Sequence, residues 1–235
     1  MSEQGILLPF YLVIDVSWSM KGDKLDAARE IFPAVVNALT KNPILNDKVR
    51  LGMLDFADDA ELRVPLCDVS RLTTLPSLDL RGGTNYGAAF RMLRQQLETD
   101  VAQLRSDGYR VHRPAVFFIS DGEPLDDWQS DFAALTEYDR ETNAGFRWYP
   151  VLVPCGVDTA DRDILRKLAY PPSKSKLYMM KTGKDAAEAI RAMTEVLISS
   201  VLASGQSIAQ GGSGLILPGP GDVPPSLDVE DDWLD

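Results

Sequence analysis

Tyr11-Leu-Val-Ile-Asp-Val-Ser-Trp-Ser19 passes from a run of apolar residues to a run of oxygen donors. Asp15, Ser17 and Ser19 fall at alternate positions where a buried strand opens into a loop, so one carboxylate and two hydroxyls can turn to one side. Oxygen ligands of this kind suit a hard divalent cation such as Mg²⁺ or Mn²⁺. Two later segments offer the oxygens that complete such a site, Gly82-Gly83-Thr84-Asn85 and Ser120-Asp121-Gly122.

Outward from this stretch, short apolar runs alternate with helical patterns, the signature of a parallel sheet built from βαβ units. Ala115–Ile119 (AVFFI) is apolar at every position and reads as a central strand covered on both faces. Tyr11–Asp15, Val49–Ala57, Trp148–Val153 and Lys176–Met180 are the further strands, and Glu61–Leu66 pairs with Val49–Ala57 as an antiparallel edge. Helices are expected over Lys24–Thr40, Asn85–Leu104, Asp131–Asp139, Asp161–Ala169 and Asp185 to about Ala203. Pro33 should kink or interrupt the first of them. The expected architecture is α/β, Rossmann-like and doubly wound. It has a mostly parallel central sheet of about six strands, one antiparallel edge strand, and helices on both faces.

Composition changes at Ser204. Residues 1–203 read as the folded domain and 204–235 as a flexible Gly/Pro-rich acidic tail that cannot bury enough apolar surface to fold alone. Leu215-Ile216-Leu217 and Trp233-Leu234 are apolar islands in it, either idle or docking peptides. Glu230-Asp231-Asp232 could supply a carboxylate to the metal, in cis or to a neighbouring copy.

A net charge of −11 argues against nucleic acid or an anionic membrane surface as main partner, since both demand a basic patch. No secretory signal is visible, and no run reaches the ~18–20 apolar residues of a membrane span. Cys67 and Cys155 stand far apart, without a CxxC. They read as inert core thiols of a cytoplasmic protein.

In an open parallel α/β sheet, ligands gather beyond the carboxyl ends of the strands, where Asp15 and Asp121 are both expected. Two carboxylates held close raise one another's pKa, a conflict that a divalent cation removes. Thr84 follows two glycines and stands where a helix begins, with Thr84 or Asn85 alternatively its N-cap. Asp15-x-Ser17-x-Ser19, Thr84 after Gly-Gly, and Asp121-Gly122 together resemble the metal-ion-dependent adhesion site of von Willebrand factor A domains, over about residues 6 to 203. The stretch Ile119–Trp128 looks more particularly like bacterial tellurium-resistance TerY-type proteins.

The resemblance implies direct coordination of Mg²⁺ (Mn²⁺ or Ca²⁺ as alternatives) by Ser17, Ser19 and Thr84, with Asp15 and Asp121 acting partly through water. It implies capture of a Glu or Asp side chain from a partner protein, in a stress-response assembly with a phosphatase or a kinase as candidate partner. Trp18, Met20, Tyr86 and Trp128 would form an apolar rim, with Trp18 and Tyr86 the more exposed.

An enzyme is the competing class. A Mg²⁺-dependent phosphohydrolase of the aspartyl-nucleophile type needs a second carboxylate two residues after the first, where Ser17 stands. No GxxxxGK[ST] loop is present. The single histidine, His112, reads as a solvent-facing loop residue at the opposite sheet edge, too far for a base. Lys21, Lys24 and Arg81 either greet an acidic partner or balance local carboxylates. Glu123, Asp126 and Asp127 either widen the metal site or serve turns and a helix start.

Overall fold

Strand β1 (Ile6–Asp15) is hydrogen-bonded on both sides and covered on both faces, which is why nearly all its residues are buried. The computed structural model describes residues 5–212 and 214–231. After β1 come α1 (Asp23–Thr40), α2 (Pro43–Asn46), β2 (Val49–Phe56) and β3 (Ala60–Cys67). Then follow α3 (Tyr86–Ser106), β4 (Arg110–Val111), β5 (Ala115–Ser120), α4 (Gln129–Thr136) and a small hairpin of β6 (Tyr138–Asp139) with β7 (Ala144–Gly145). The chain closes with β8 (Val151–Gly156), α5 (Arg162–Leu168), β9 (Leu177–Met180), α6 (Ala186–Ala209) and β10 (Leu227–Glu230).

Among the described residues the main sheet has eight strands in the order β10-β9-β8-β5-β1-β2-β3, with β4 beside the start of β1. The inner pairings are parallel, while β2–β3 and β9–β10 are antiparallel. The sheet therefore has two antiparallel edges where the sequence suggested one. Strand β4 is only two residues long, too short for a periodic signal.

Alternation along β1 divides the core. Leu8, Phe10, Leu12 and Ile14 pack with α1 and α6, whereas Tyr11 and Val13 point to the α3 side. On that second face Phe56, Tyr86, Phe90, Phe118, Trp128 and Phe132 form a connected aromatic cluster. Pro33 does not end α1, which runs on to Thr40. Burial of Phe32 and Val35 on either side of it offsets the lost backbone bond.

The C-terminal stretch departs most from expectation. Helix α6 continues past Ser204 to Ala209, because Ser204, Gly205 and Ile208 are buried, with Gly205 lying against Leu45. The following segment is part of the domain. Ser204 Oγ accepts the Ile216 N–H at 2.8 Å, Leu215 and Leu217 pack against the core, and β10 adds an edge strand. Ile216 alone of that apolar island is exposed. Glu230 pairs with Arg162 and Arg166, and Asp231 with Lys176, so these two carboxylates are held by the domain's own cations. Asp232 and Trp233-Leu234 lie outside the described residues.

Leu227 is buried where β10 meets β9. Leu227→Ala should therefore cost about 2–5 kcal/mol of unfolding free energy in urea titration. A loss below about 0.5 kcal/mol, the range of an exposed position, would contradict the packing of this strand.

Candidate metal centre

Strands β1 and β5 are direct parallel neighbours, with Ile14 opposite Ile119, so Asp15 and Ser120 leave the sheet side by side. Both are fully buried. A buried carboxylate must be hydrogen-bonded or neutralised. Asp15 Oδ1 accepts the Ser17 N–H at 2.8 Å, and Oδ2 accepts the Ser120 hydroxyl at 2.7 Å. Burial nevertheless pushes its pKa up to about 6, with Asp121 adding to the rise and the hydrogen bonds opposing it. This carboxylate is short of positive charge.

From Asp15 the network passes outward. Ser19 Oγ donates to Asp121 Oδ1 at 2.6 Å, which leaves Ser17 as the donor in its 2.8 Å contact with Ser19 Oγ. Thr84 approaches from the other side of Gly122. A side chain at Gly122 would begin 3.5 Å from Thr84 Oγ1 and 3.6 Å from Ser19 Oγ. Thr84 is buried, yet its hydroxyl makes no hydrogen bond to another described residue. All five residues singled out in the sequence thus reach one place at the carboxyl ends of the strands.

Local geometry explains why the Gly82–Thr84 segment arrives there. Arg81 N–H donates to Val16 O, and Trp18 N–H to Gly82 O, stitching this segment to the loop after β1. The Arg81 guanidinium pairs with the buried Asp55 at 2.5 Å and with Glu61. Gly83 N–H donates to Asp58 Oδ1 at 2.8 Å. A Cβ on Gly82 would lie 1.7 Å from Asp58 Oδ2, so a side chain there would displace the carboxylate that holds Gly83 N–H. Asn85 occupies the N-cap position of α3 but makes no cap bond, and its amide donates to Asp58 O instead. The cap comes from Asp126, whose carboxylate accepts the N–H groups of Tyr86 and Gly87. Asp126 is thus a helix-start residue, for α3 rather than α4.

Lys24 is the addition that the sequence left open. Its ammonium bonds Asp121 Oδ2 at 2.5 Å and Asp158 Oδ2 at 2.6 Å. It serves as an internal counter-ion, as does Arg81, whereas Lys21 stays exposed. Asp158 had no motif to announce it; it follows the end of β8 and sits at a positive φ of 53°. Its neighbour Thr159 donates from Oγ1 to Asp121 O at 3.0 Å, so the β8 loop buttresses the site.

The apolar rim also differs from expectation. Trp18 is 64% exposed, but Met20, Tyr86 and Trp128 are buried. Tyr86 points inward, its hydroxyl 3.0 Å from both Ser120 Oγ and Gly122 O and able to share its one proton between them. Leu125 takes its place at the surface. It is 74% exposed, its N–H donates to Thr84 O, and its side chain lies over Gly83. A leucine in an acidic turn gives no periodic signal, so sequence reasoning missed it.

The donor set is two carboxylates and three hydroxyls. Among the described residues no three His, Cys, Asp or Glu side chains gather into a metal-holding group. Such oxygens fit Mg²⁺, Mn²⁺ or Ca²⁺ and exclude a soft-metal site. His112 cannot serve chemistry here. Its N–H bonds Leu7 O at the beginning of β1, eight residues from Asp15, or roughly 26 Å along a strand. It is half-buried rather than a solvent-facing loop residue. Cys155 is buried and Cys67 partly so, both as free thiols, and burial raises the pKa of each.

Residues 10–123 match the family model described as the von Willebrand factor type A domain. Solved structures give the same fold. The von Willebrand factor type A protein from Catenulispora acidiphila aligns at a TM-score of 0.53 and 16% identity, over 82% of this chain and 43% of that one. The pilus adhesin SpaC from Lactobacillus rhamnosus GG gives 0.55 and 14%, over 86% and 30%. Proximal thread matrix protein 1 from the mussel byssus gives 0.50 and 16%, over 83% and 46%. The chain thus spans less than half the length of each. No curated protein matches it significantly.

Tyr86→Phe removes the buried hydroxyl that bridges Ser120 and Gly122. It should cost about 1–3 kcal/mol of stability, read from the urea midpoint, because Gly122 O loses its donor. An unchanged midpoint would mean that this bridge does not hold the Ser120–Gly122 turn.

Proposed function

We propose that this von Willebrand factor A fold is a non-catalytic, Mg²⁺-dependent protein-interaction module that captures an acidic side chain of a partner. One observation carries the reading. Asp15, Ser17, Ser19 and Asp121 form a single hydrogen-bonded chain at the ends of two central strands, and the Thr84 hydroxyl stands beside it without a hydrogen-bond partner among the described residues. Ser17, Ser19 and Thr84 are the direct ligands in this reading; Asp15 and Asp121 act partly through water. Both Asp15 oxygens are already engaged by Ser17 and Ser120, which fits that indirect role. Bound there, Mg²⁺ supplies a Lewis-acidic position for a Glu or Asp carboxylate. Trp18 and Leu125 provide apolar area beside it, and the buried Tyr86 holds the floor.

Named relatives of the fold include a pilus adhesin and a thread matrix protein, which favours binding over turnover. The likeness of Ile119–Trp128 to tellurium-resistance proteins is what supports a role in a bacterial stress-response assembly of the cytoplasm. A phosphatase or a kinase is then a candidate partner. Two free cysteines accord with a reducing compartment.

Calorimetric titration with MgCl₂ tests the centre directly. Saturable binding is expected for the intact chain and should be lost in Thr84→Ala and in Asp15→Ala, with EDTA abolishing partner capture in parallel. No saturable heat in the intact protein, or equal heat in both variants, sinks the reading.

Lys24 gives a second, sharper test. Its ammonium already neutralises Asp121 and repels an incoming dication. Lys24→Met should tighten Mg²⁺ binding by about tenfold or more, equivalent to about 1.4 kcal/mol. Weaker binding would instead mean that Lys24 is needed to hold Asp121 and Asp158 in place.

A further inference from the structure

At the opposite end of the sheet, where the strands begin, two clefts flank the His112–Arg113 turn. One has a volume of about 350 Å³ and includes Arg140, Arg147 and Trp148; the other, of about 470 Å³, includes Lys174. His112 and Arg113 border both. For a chain of net charge −11 this is an unexpected gathering of cations.

None of Arg113, Arg140, Arg147 and Lys174 forms an ion pair with a carboxylate of the described residues. The paired arginines lie elsewhere, on Asp26, Asp55, Asp131, Glu230 and Glu30. Of the two carboxylates flanking Arg140 in sequence, Asp139 is spent on its own turn, accepting from Thr142 Oγ1 and Glu141 N–H, and Glu141 is exposed and forms no ion pair among the described residues.

Arg113 is half-buried, with its guanidinium 3.5 Å above the Tyr149 ring and Nη1 donating to Tyr149 O at 2.6 Å. Burial lowers its pKa, and the neighbouring Arg140 lowers it further. Arg147 and Arg105 lie over the Trp148 ring, at 5.2 and 4.9 Å. Ring stacking fixes guanidinium planes while leaving N–H edges free to donate. His112 Nε2 is buried and has no hydrogen-bond partner among the described residues.

Like charges held together without a carboxylate are unfavourable unless an anion joins them. We propose that the cleft lined by Arg113, Arg140 and Arg147 is a second ligand site, built for a phosphate monoester dianion. Forked guanidinium edges match phosphate oxygens bidentately, and several cations around one space suit a dianion better than a single carboxylate. The phosphate could belong to a small free ester or to a phosphorylated residue of another protein, and both present the same chemistry to the arginines.

Calorimetric titration at fixed ionic strength, with inorganic phosphate, AMP and a short phosphoserine peptide, tests this. At least one probe should bind saturably. Arg140→Gln/Arg147→Gln removes exposed charges and leaves the core intact; it should weaken that binding about tenfold or more. Arg71→Gln/Arg191→Gln, with the same change in net charge, should not. Tighter binding of the peptide assigns the phosphate to a protein residue, and binding of AMP or phosphate as tight or tighter assigns it to a small ester. Asp15→Ala should leave all three titrations unchanged, separating this site from the metal centre. Absence of saturable binding by every probe, or equal affinity in the Arg140/Arg147 double variant, overturns the proposal.

Discussion

The burial of Asp15 governs the upper end of this molecule. Strand β1 is an inner strand of the sheet, apolar on both faces, and it ends in a carboxylate with no access to water. Such a group demands donors, and Ser17 N–H and Ser120 Oγ meet that demand. Their positions then fix everything near them. Ser120 must follow β5 in register with β1, Tyr86 must reach across to bond Ser120, and α3 must start where Asp126 can cap it. The loop chemistry follows from one buried charge placed at the end of a buried strand.

Much of this was legible in the chain because the relevant patterns are local. Val116 to Ile119 and Leu12 to Ile14 are apolar at consecutive positions, which a one-sided surface strand would not tolerate. Asp15, Ser17, Ser19, Thr84 and Asp121 were readable because their spacing survives folding. The strands and helices between them were placed mostly within a few residues. What stayed hidden depends on contacts between distant segments. Lys24 was visible as a charge, yet only the fold brings it between Asp121 and Asp158. Tyr86 looked like a surface aromatic because it follows a polar loop, but the α3 face that carries it turns inward.

The stretch after Ser204 shows why composition misleads. Glycine and proline make 205–225 look unable to fold, and alone it has too little apolar surface. The domain supplies the missing surface instead. Tyr178 OH donates to Pro218 O, Ser204 Oγ receives Ile216 N–H, and the free edge of β9 pairs with four residues of β10. An edge strand without this cover would present unpaired backbone groups. No property of Leu227–Glu230 taken alone announces the pairing, since its partner lies some fifty residues earlier at Leu177–Met180.

The charges of the site are arranged in opposition. Asp15 and Asp121 make the centre attractive to a dication, while Lys24 sits on Asp121 and offsets part of that attraction. Arg81 does the same for Asp55, one strand away, and ties the Gly82–Thr84 segment down as it does so. Each cation thus has two effects, lowering the net charge of a buried acidic pocket and fixing a loop that carries a donor. A donor set held in place this way needs little ordering when a ligand arrives, which favours binding. The residual positive charge works the other way by weakening the pull on a cation. In the proposed reading, Lys24 therefore bears on both the affinity for a cation and the charge balance around Asp121, and neither can be changed without moving the other.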